Sequence, residues 1–299
     1  MRSEKIFQIL LFFFIFTTLT IVVGIVVSLV TTSSPIFIKY GLDFVFSSVW
    51  NPVKESYGIL PALLGTLITS TIAISIATPL AISLAVFSSE IIPQRFRSLM
   101  NSISDLMASL PSVIYGLWGL YVLAPILHNY LMLPLHNYLG FIPLFSTKPT
   151  PTNLFTAGVL LAIMIVPFAS SIIREAYTAV PYNLKEAAYS IGMTKWETVR
   201  TMLGYIKSAI FAGLFLALGR AMGETMAVAM VVGNILNIPK SLFDMGYTIS
   251  SLIANQFPNA EAYEYMVPAL YGGATILFLI GLVINLVGLY FIKKVMIKG

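Results

Sequence analysis

The chain has 299 residues, 58% of them apolar and 10% charged, with 17 Lys and Arg against 12 Asp and Glu and no cysteine. Ordinary soluble domains carry about 25% charged residues, so the composition excludes a water-soluble fold. The excess positive charge is scattered thinly among apolar runs, which argues against a nucleic-acid surface. The lack of cysteine excludes disulfides and thiolate metal sites.

A helix crossing a bilayer needs about 20 mostly apolar residues. Six stretches qualify: 6–30, 59–87, 103–127, 154–173, 208–235 and 267–292. The expected fold is therefore an all-α integral membrane protein with six transmembrane helices, a single domain over 1–299. The first stretch is too long for a signal peptide and is read as a retained span. Thr31 to Pro35 then reads as a loop. With the N-terminus inside, twelve Lys and Arg fall on the inner side and four on the outer: Lys39, Lys54, Lys148 and Lys240. The seventeenth, Arg220, lies within a span. This bias predicts a multi-pass protein of the plasma membrane with both termini cytoplasmic.

The outer loops are then 31–58, 128–153 and 236–266, with Trp50, Tyr57, Tyr130, Tyr138, Tyr263 and Tyr265 as an interfacial belt. His128 and His136 have no carboxylate near them in sequence, so no metal site is expected. Pro61 and Pro268 suit the openings of spans, where a missing N–H costs nothing. Pro111, inside the third stretch, predicts a kink.

The segment 174–207 is too polar to span. Pro181 stops the preceding helix, and Asn183 can cap a new one starting at Leu184, with Glu186 in its first turn. Gly192 fits a left-handed helix end, and Thr194 with Glu197 forms a capping box for a second helix. A short helix, a glycine turn and another helix are expected on the inner face.

No phosphate-binding loop, metal-ligand spacing or nucleophile–base pair is present, so the chain is not expected to be an enzyme. Its energy would come from another subunit or from an ion gradient. Arg220 and Glu224, four residues apart in an apolar run, are the sharpest candidate site. A charge at mid-membrane costs about 2.5–3.5 kcal/mol, and the two can pair on one helix face. Such a pair either holds helices together or lines an aqueous path, where the Arg fork could meet an oxyanion.

Glu186-Ala187-Ala188 followed by Gly192 resembles the EAA signature of ABC importer permeases. That resemblance implies a type I permease fold and a coupling helix, here Glu186, Ala187, Ala188 and Gly192, docking on an ATPase. The usual Leu-Pro after the signature is replaced by Leu203-Gly204. Leu218-Gly219-Arg220-Ala221-Met222-Gly223-Glu224-Thr225-Met226-Ala227-Val228, and Met230-Val231-Val232-Gly233-Asn234 after it, are similar to the C-type membrane subunit of phosphate-specific (Pst) importers. Two upstream stretches agree: residues 110–119, and 50–53 leading into 57–61.

The resemblance implies a substrate path with Arg220, Glu224, Thr225 and Asn234, and no cofactor in this chain. It implies a heterodimer with a sister permease and a cytoplasmic ATPase dimer holding ATP and Mg. An external phosphate-binding protein would deliver phosphate. Two alternatives stay open: a permease for molybdate, tungstate or sulfate, and an ion-gradient-driven secondary transporter.

Overall fold

A computed structural model of the chain describes the backbone of residues 2–297 and the side chains of residues 7–290. Arg2, Lys5, Lys293, Lys294 and Lys298, counted in the charge asymmetry, lie outside the described side chains. In chain order come α1 (Arg2–Tyr40), α2 (Asp43–Phe46), a hairpin of β1 (Trp50–Asn51) and β2 (Ser56–Tyr57), and α3 (Leu60–Val86). A π turn at Phe87–Ile91 ends α3, and α4 (Gln94–Ser109) follows. Next is a continuous run of α5 (Ser112–Trp118), α6 (Ala124–Leu127) and α7 (Leu133–Leu139), joined by two π turns. The chain continues as α8 (Leu154–Thr178), α9 (Tyr182–Ser190), α10 (Lys195–Tyr205), α11 (Lys207–Gly223), α12 (Met226–Val231), α13 (Ile249–Gln256) and α14 (Met266–Ile297). The hairpin, with Trp50 opposite Tyr57, is a small exception to the all-α expectation.

Among the described residues, five helices are long and apolar enough to cross a membrane. A sixth span is obtained when α10 and α11, bent by 67°, are taken as one. The centre is the packing of α3 on α8. Ala73, Ala77, Ala81 and Ala85 recur every fourth residue on α3 and are buried. With no bulk on that stripe the two backbones approach closely, the usual source of helix affinity in lipid. Leu160, Leu161 and Ile165 of α8 and Ala217, Val228 and Val231 of α11 and α12 complete this core. A second core joins Ile36 and Phe44 to Tyr57, Ile59, Ile249, Leu252 and Leu270. Above it Glu55 accepts hydrogen bonds from the Glu264 and Tyr265 N–H groups at 3.2 and 3.3 Å, where a carboxylate suits the start of α14. Burial pushes the Tyr57 hydroxyl far above its ordinary range, reinforced by Glu55 beside it.

Several expected boundaries move. Thr31 to Pro35 is helical, not a loop, because local hydroxyls satisfy the backbone. Thr31 donates to the Val27 carbonyl at 2.8 Å. Ser34 donates to the Thr31 carbonyl at 2.8 Å, the acceptor that Pro35, lacking an N–H, leaves free. The third span runs over Ser112–Leu139 rather than 103–127. The kink expected at Pro111 is a full break: Leu110 is extended, with ψ 137, as a residue before proline prefers. The helix α4 is thereby set apart, tied to α8 by Arg174–Asp105 at 3.5 Å. His128 and His136 are helical, and their rings meet the carbonyls of Pro149 at 3.2 Å and Phe145 at 2.9 Å, binding the returning chain.

Candidate functional site

The apolar run from Ser208 to Ile235 is not one helix. The backbone of α11 stops at Gly223, Glu224 is extended with φ −68 and ψ 127, and α12 restarts at Met226. The break comes after the Glu224 Cα, so Arg220 and Glu224 keep their i,i+4 spacing at the end of α11. No ion pair joins them; the ion pairs among the described side chains are Arg174–Asp105 and Lys185–Glu90. Arg220 is exposed. One Nη donates to the Ala108 carbonyl at 3.3 Å, in the last turn of α4, where helix carbonyls lack internal donors. The guanidinium lies 5.3 Å from the Phe168 ring centre on α8. Its remaining N–H groups have no protein partner among the described residues. A fork held by one contact and a ring face is free to take a planar or tetrahedral oxyanion.

Glu224 and Thr225 lie at the break itself. Thr225 lines an open cleft of about 460 Å³ with Gly219, Met222, Gly223, Ser250 and Phe278. The Ser250 hydroxyl donates to the Glu224 carbonyl at 2.8 Å, so a group freed by the broken helix is satisfied by α13. This helix falls inside the stretch 236–266 expected to be an outer loop. It folds back among the spans instead, with Ile249, Ser251 and Leu252 fully buried. Thr248 and Ser251 form its capping box, and the Ile249 N–H donates to Thr66 of α3 at 2.9 Å. Gly65 permits that approach: a β-carbon there would sit 2.0 Å from the Tyr247 carbonyl oxygen. Ser250 and Thr66 were not among the sequence candidates. The Thr248-x-x-Ser251 pattern was the available signal, masked by the loop-like polarity around it.

Asn234 stands apart from Arg220, past the end of α12. It adopts a left-handed backbone with φ 57, and its amide donates to the Ala229 carbonyl at 2.7 Å. Its buried Oδ1 has no hydrogen-bond partner. Beyond it, a polar cleft of about 580 Å³ gathers Ser48, Lys148, Thr150, Asn237, Lys240 and Asp244. These come from all three loops expected on the outer side, so the structure places those loops at one end.

At the other end sits the elbow of α9 and α10. The first of these helices starts at Tyr182 on Pro181, without a side-chain cap. Asn183 is therefore inside the helix rather than its cap, and Glu186 lies beyond the first turn: Pro181 is the N-cap residue, and its backbone carbonyl accepts the Leu184 N–H at 3.1 Å. The end of α9 follows expectation. Gly192 is left-handed with φ 83. Met193 N–H reaches the Ala188 carbonyl at 3.1 Å and Gly192 N–H the Tyr189 carbonyl at 3.0 Å, the paired bonds of a Schellman turn. Ala188 is buried, whereas Glu186, Ala187 and Gly192 are exposed. The Thr194–Glu197 capping box is present. Its hydrogen bonds, first from the Thr194 backbone, hold the Glu197 carboxyl below its ordinary range. Where the usual Leu-Pro is missing, α10 runs through Gly204 and bends only at Ile206.

Residues 77–297 match the family described as binding-protein-dependent transport system inner membrane component. The chain is 44% identical over 265 residues to the probable phosphate transport system permease protein PstC of Methanocaldococcus jannaschii, covering 87% of this chain and 84% of that one. It is 39% identical over 278 residues to PstC of Pasteurella multocida, covering 91% and 86%. The chain belongs to this inner membrane component family, among its PstC-type permeases. In fold, this PstC-type chain is similar to a solved inward-facing form of the methionine ABC transporter MetNI, with TM-score 0.53 and 17% identity, covering 80% of this chain and 94% of that one. The MetNI likeness supports the ABC permease fold alone. As a permease subunit, the PstC-type chain is a non-enzymatic component of its transporter.

Proposed function

We propose that this chain is the C-type permease subunit of an ATP-driven importer of inorganic phosphate. The observation that carries the reading is the 44% identity to a PstC permease over most of both chains. It is supported by the unpaired Arg220 fork at a break in the fifth span. Stripping water from a phosphate carrying one to two negative charges in a low-dielectric medium is prohibitive without compensating groups. Arg220, with Glu224 and Thr225 at the break and Asn234 above it, would supply the polar stretch of the path. The nearby Glu224 keeps the anion from being held too tightly for release.

The chain works as a heterodimer with a sister permease. A cytoplasmic ATPase dimer, which holds the ATP and Mg, docks on Glu186, Ala187, Ala188 and Gly192. An external phosphate-binding protein delivers the anion to the end carrying Lys148 and Lys240. Both termini then face the cytoplasm. Vesicles containing all of these partners take up labelled phosphate only with ATP inside, and excess molybdate or sulfate leaves uptake unchanged. Uptake of molybdate in preference to phosphate would move the reading to another oxyanion. Uptake that survives ATP depletion and fails with uncouplers would replace it by a secondary transporter.

A further inference from the structure

Two lysines of the inner elbow converge on one residue at the end of the second span. Lys185 of α9 pairs with the Glu90 carboxylate, their side chains 22% and 16% exposed. Lys195 of α10 donates to the Glu90 carbonyl at 3.1 Å. Glu90 lies in the π turn Phe87–Ile91, at a helix end where carbonyls lack donors and cations are favoured. Local π turns inside helices often mark functional positions. The Lys185 ammonium also sits 4.9 Å from the centre of the Tyr177 ring, in the last turns of α8. The Tyr177 hydroxyl is buried.

Little else holds α9. Ala188 is its one buried side chain, while Tyr182, Asn183, Leu184, Glu186, Ala187, Tyr189 and Ser190 are exposed. Apolar packing therefore anchors this helix weakly, and the polar contact to Glu90 fixes its direction. A half-buried ion pair adds little stability over an apolar substitute, but it is specific in geometry, and removing one partner strands the other charge. Displacement of α9 therefore either carries the π turn with it or strands both charges, a discrete alternative. Transmission between distant sites requires such a two-state element.

We propose that the Glu90–Lys185 pair, with the Lys185 ammonium also against the Tyr177 ring, transmits displacement of α9 to the inner ends of α3 and α8. Glu90, Lys185 and Tyr177 are positioning residues that never touch the transported anion. The proposal rests on the reading of α9 as the ATPase-docking helix.

The test uses the complete importer in liposomes, reading phosphate uptake and ATP hydrolysis together. In Glu90→Gln and in Lys185→Met, phosphate moved per ATP hydrolysed falls roughly tenfold, within the range usual for coupling between sites. The double exchange Glu90→Lys with Lys185→Glu recovers most of that loss, and Lys185→Arg retains the original ratio. Tyr177→Leu, which removes the ring beneath the Lys185 ammonium, lowers the ratio while the complex still assembles. An unchanged ratio in both single variants, or no recovery in the exchanged pair, overturns the relay. Single variants that no longer co-purify with the ATPase assign the pair to assembly and overturn it equally. Cross-linking of Ala187→Cys to the ATPase separates the two readings. Its failure in an otherwise unaltered chain removes the docking role itself, whereas an intact cross-link with an unchanged ratio removes the relay alone.

Discussion

A guanidinium on the rim of an interrupted helix does different work from one sealed in an ion pair. Arg220 spends one N–H on the Ala108 carbonyl and keeps the rest of its fork for a passing anion. Charge-assisted hydrogen bonds contribute roughly 1.5–3 kcal/mol, so Arg220→Gln is expected to lower phosphate uptake by about 10- to 100-fold. Arg220→Lys, which keeps the charge and loses the fork, should fall between. Co-purification of the partners checks that assembly is intact. Near-normal uptake by Arg220→Gln would return the residue to a packing role. Sequence spacing singles out the residue but misjudges its neighbour, with which it makes no ion pair. The i,i+4 spacing survives at the helix end, but the guanidinium turns to Ala108 and Phe168 on neighbouring helices instead of to Glu224.

At the scale of elements, the inner elbow was the most legible part of the chain. Its signals are local: a glycine at a left-handed position and a Thr-x-x-Glu box depend on bonds within four or five residues. Gly192→Ala leaves open space around the new β-carbon, so its cost is conformational, about 1–2 kcal/mol for a left-handed L-residue. Faster hydrogen exchange of the Met193 N–H, with looser coupling of ATP hydrolysis to uptake, is the expected outcome. An unchanged exchange rate would mean that the turn tolerates a side chain. The Glu197 contribution has a definite sign. Its carboxyl is held below the ordinary value, so the cap's stabilisation is present above the unfolded carboxyl range and is lost as pH falls through the folded value. By contrast, α13 was illegible, because the seven residues before its Thr248 cap are Ser, Leu, Phe, Asp, Met, Gly and Tyr and show no helical period. Only Thr66 and the absent side chain of Gly65 give that polar stretch a place among the spans.

The whole molecule segregates its connections by end. Lys148 and Lys240 meet in one cleft, while Glu90, Lys185 and Lys195 meet at the opposite pole. In the topology proposed above, the first pole faces the outside. Epitope tags at either terminus should be cut by protease only from the cytoplasmic side. Cleavage in intact cells would reverse the assignment.

Composition and apolar run length settled that the chain crosses a membrane about six times, because each span must satisfy its own backbone hydrogen bonds in lipid. Local motifs settled the elbow for the same reason: their bonds close within a turn. Tertiary structure alone decided how the fifth span is broken, since α13 can relieve the carbonyl of Glu224 only once the two are brought together, whereas Ser34 relieves Pro35 within a single turn. It also decided which charges meet. Glu90 and Lys185 are 95 positions apart, and no period or spacing in a single sequence encodes a contact made by the packing of three helices.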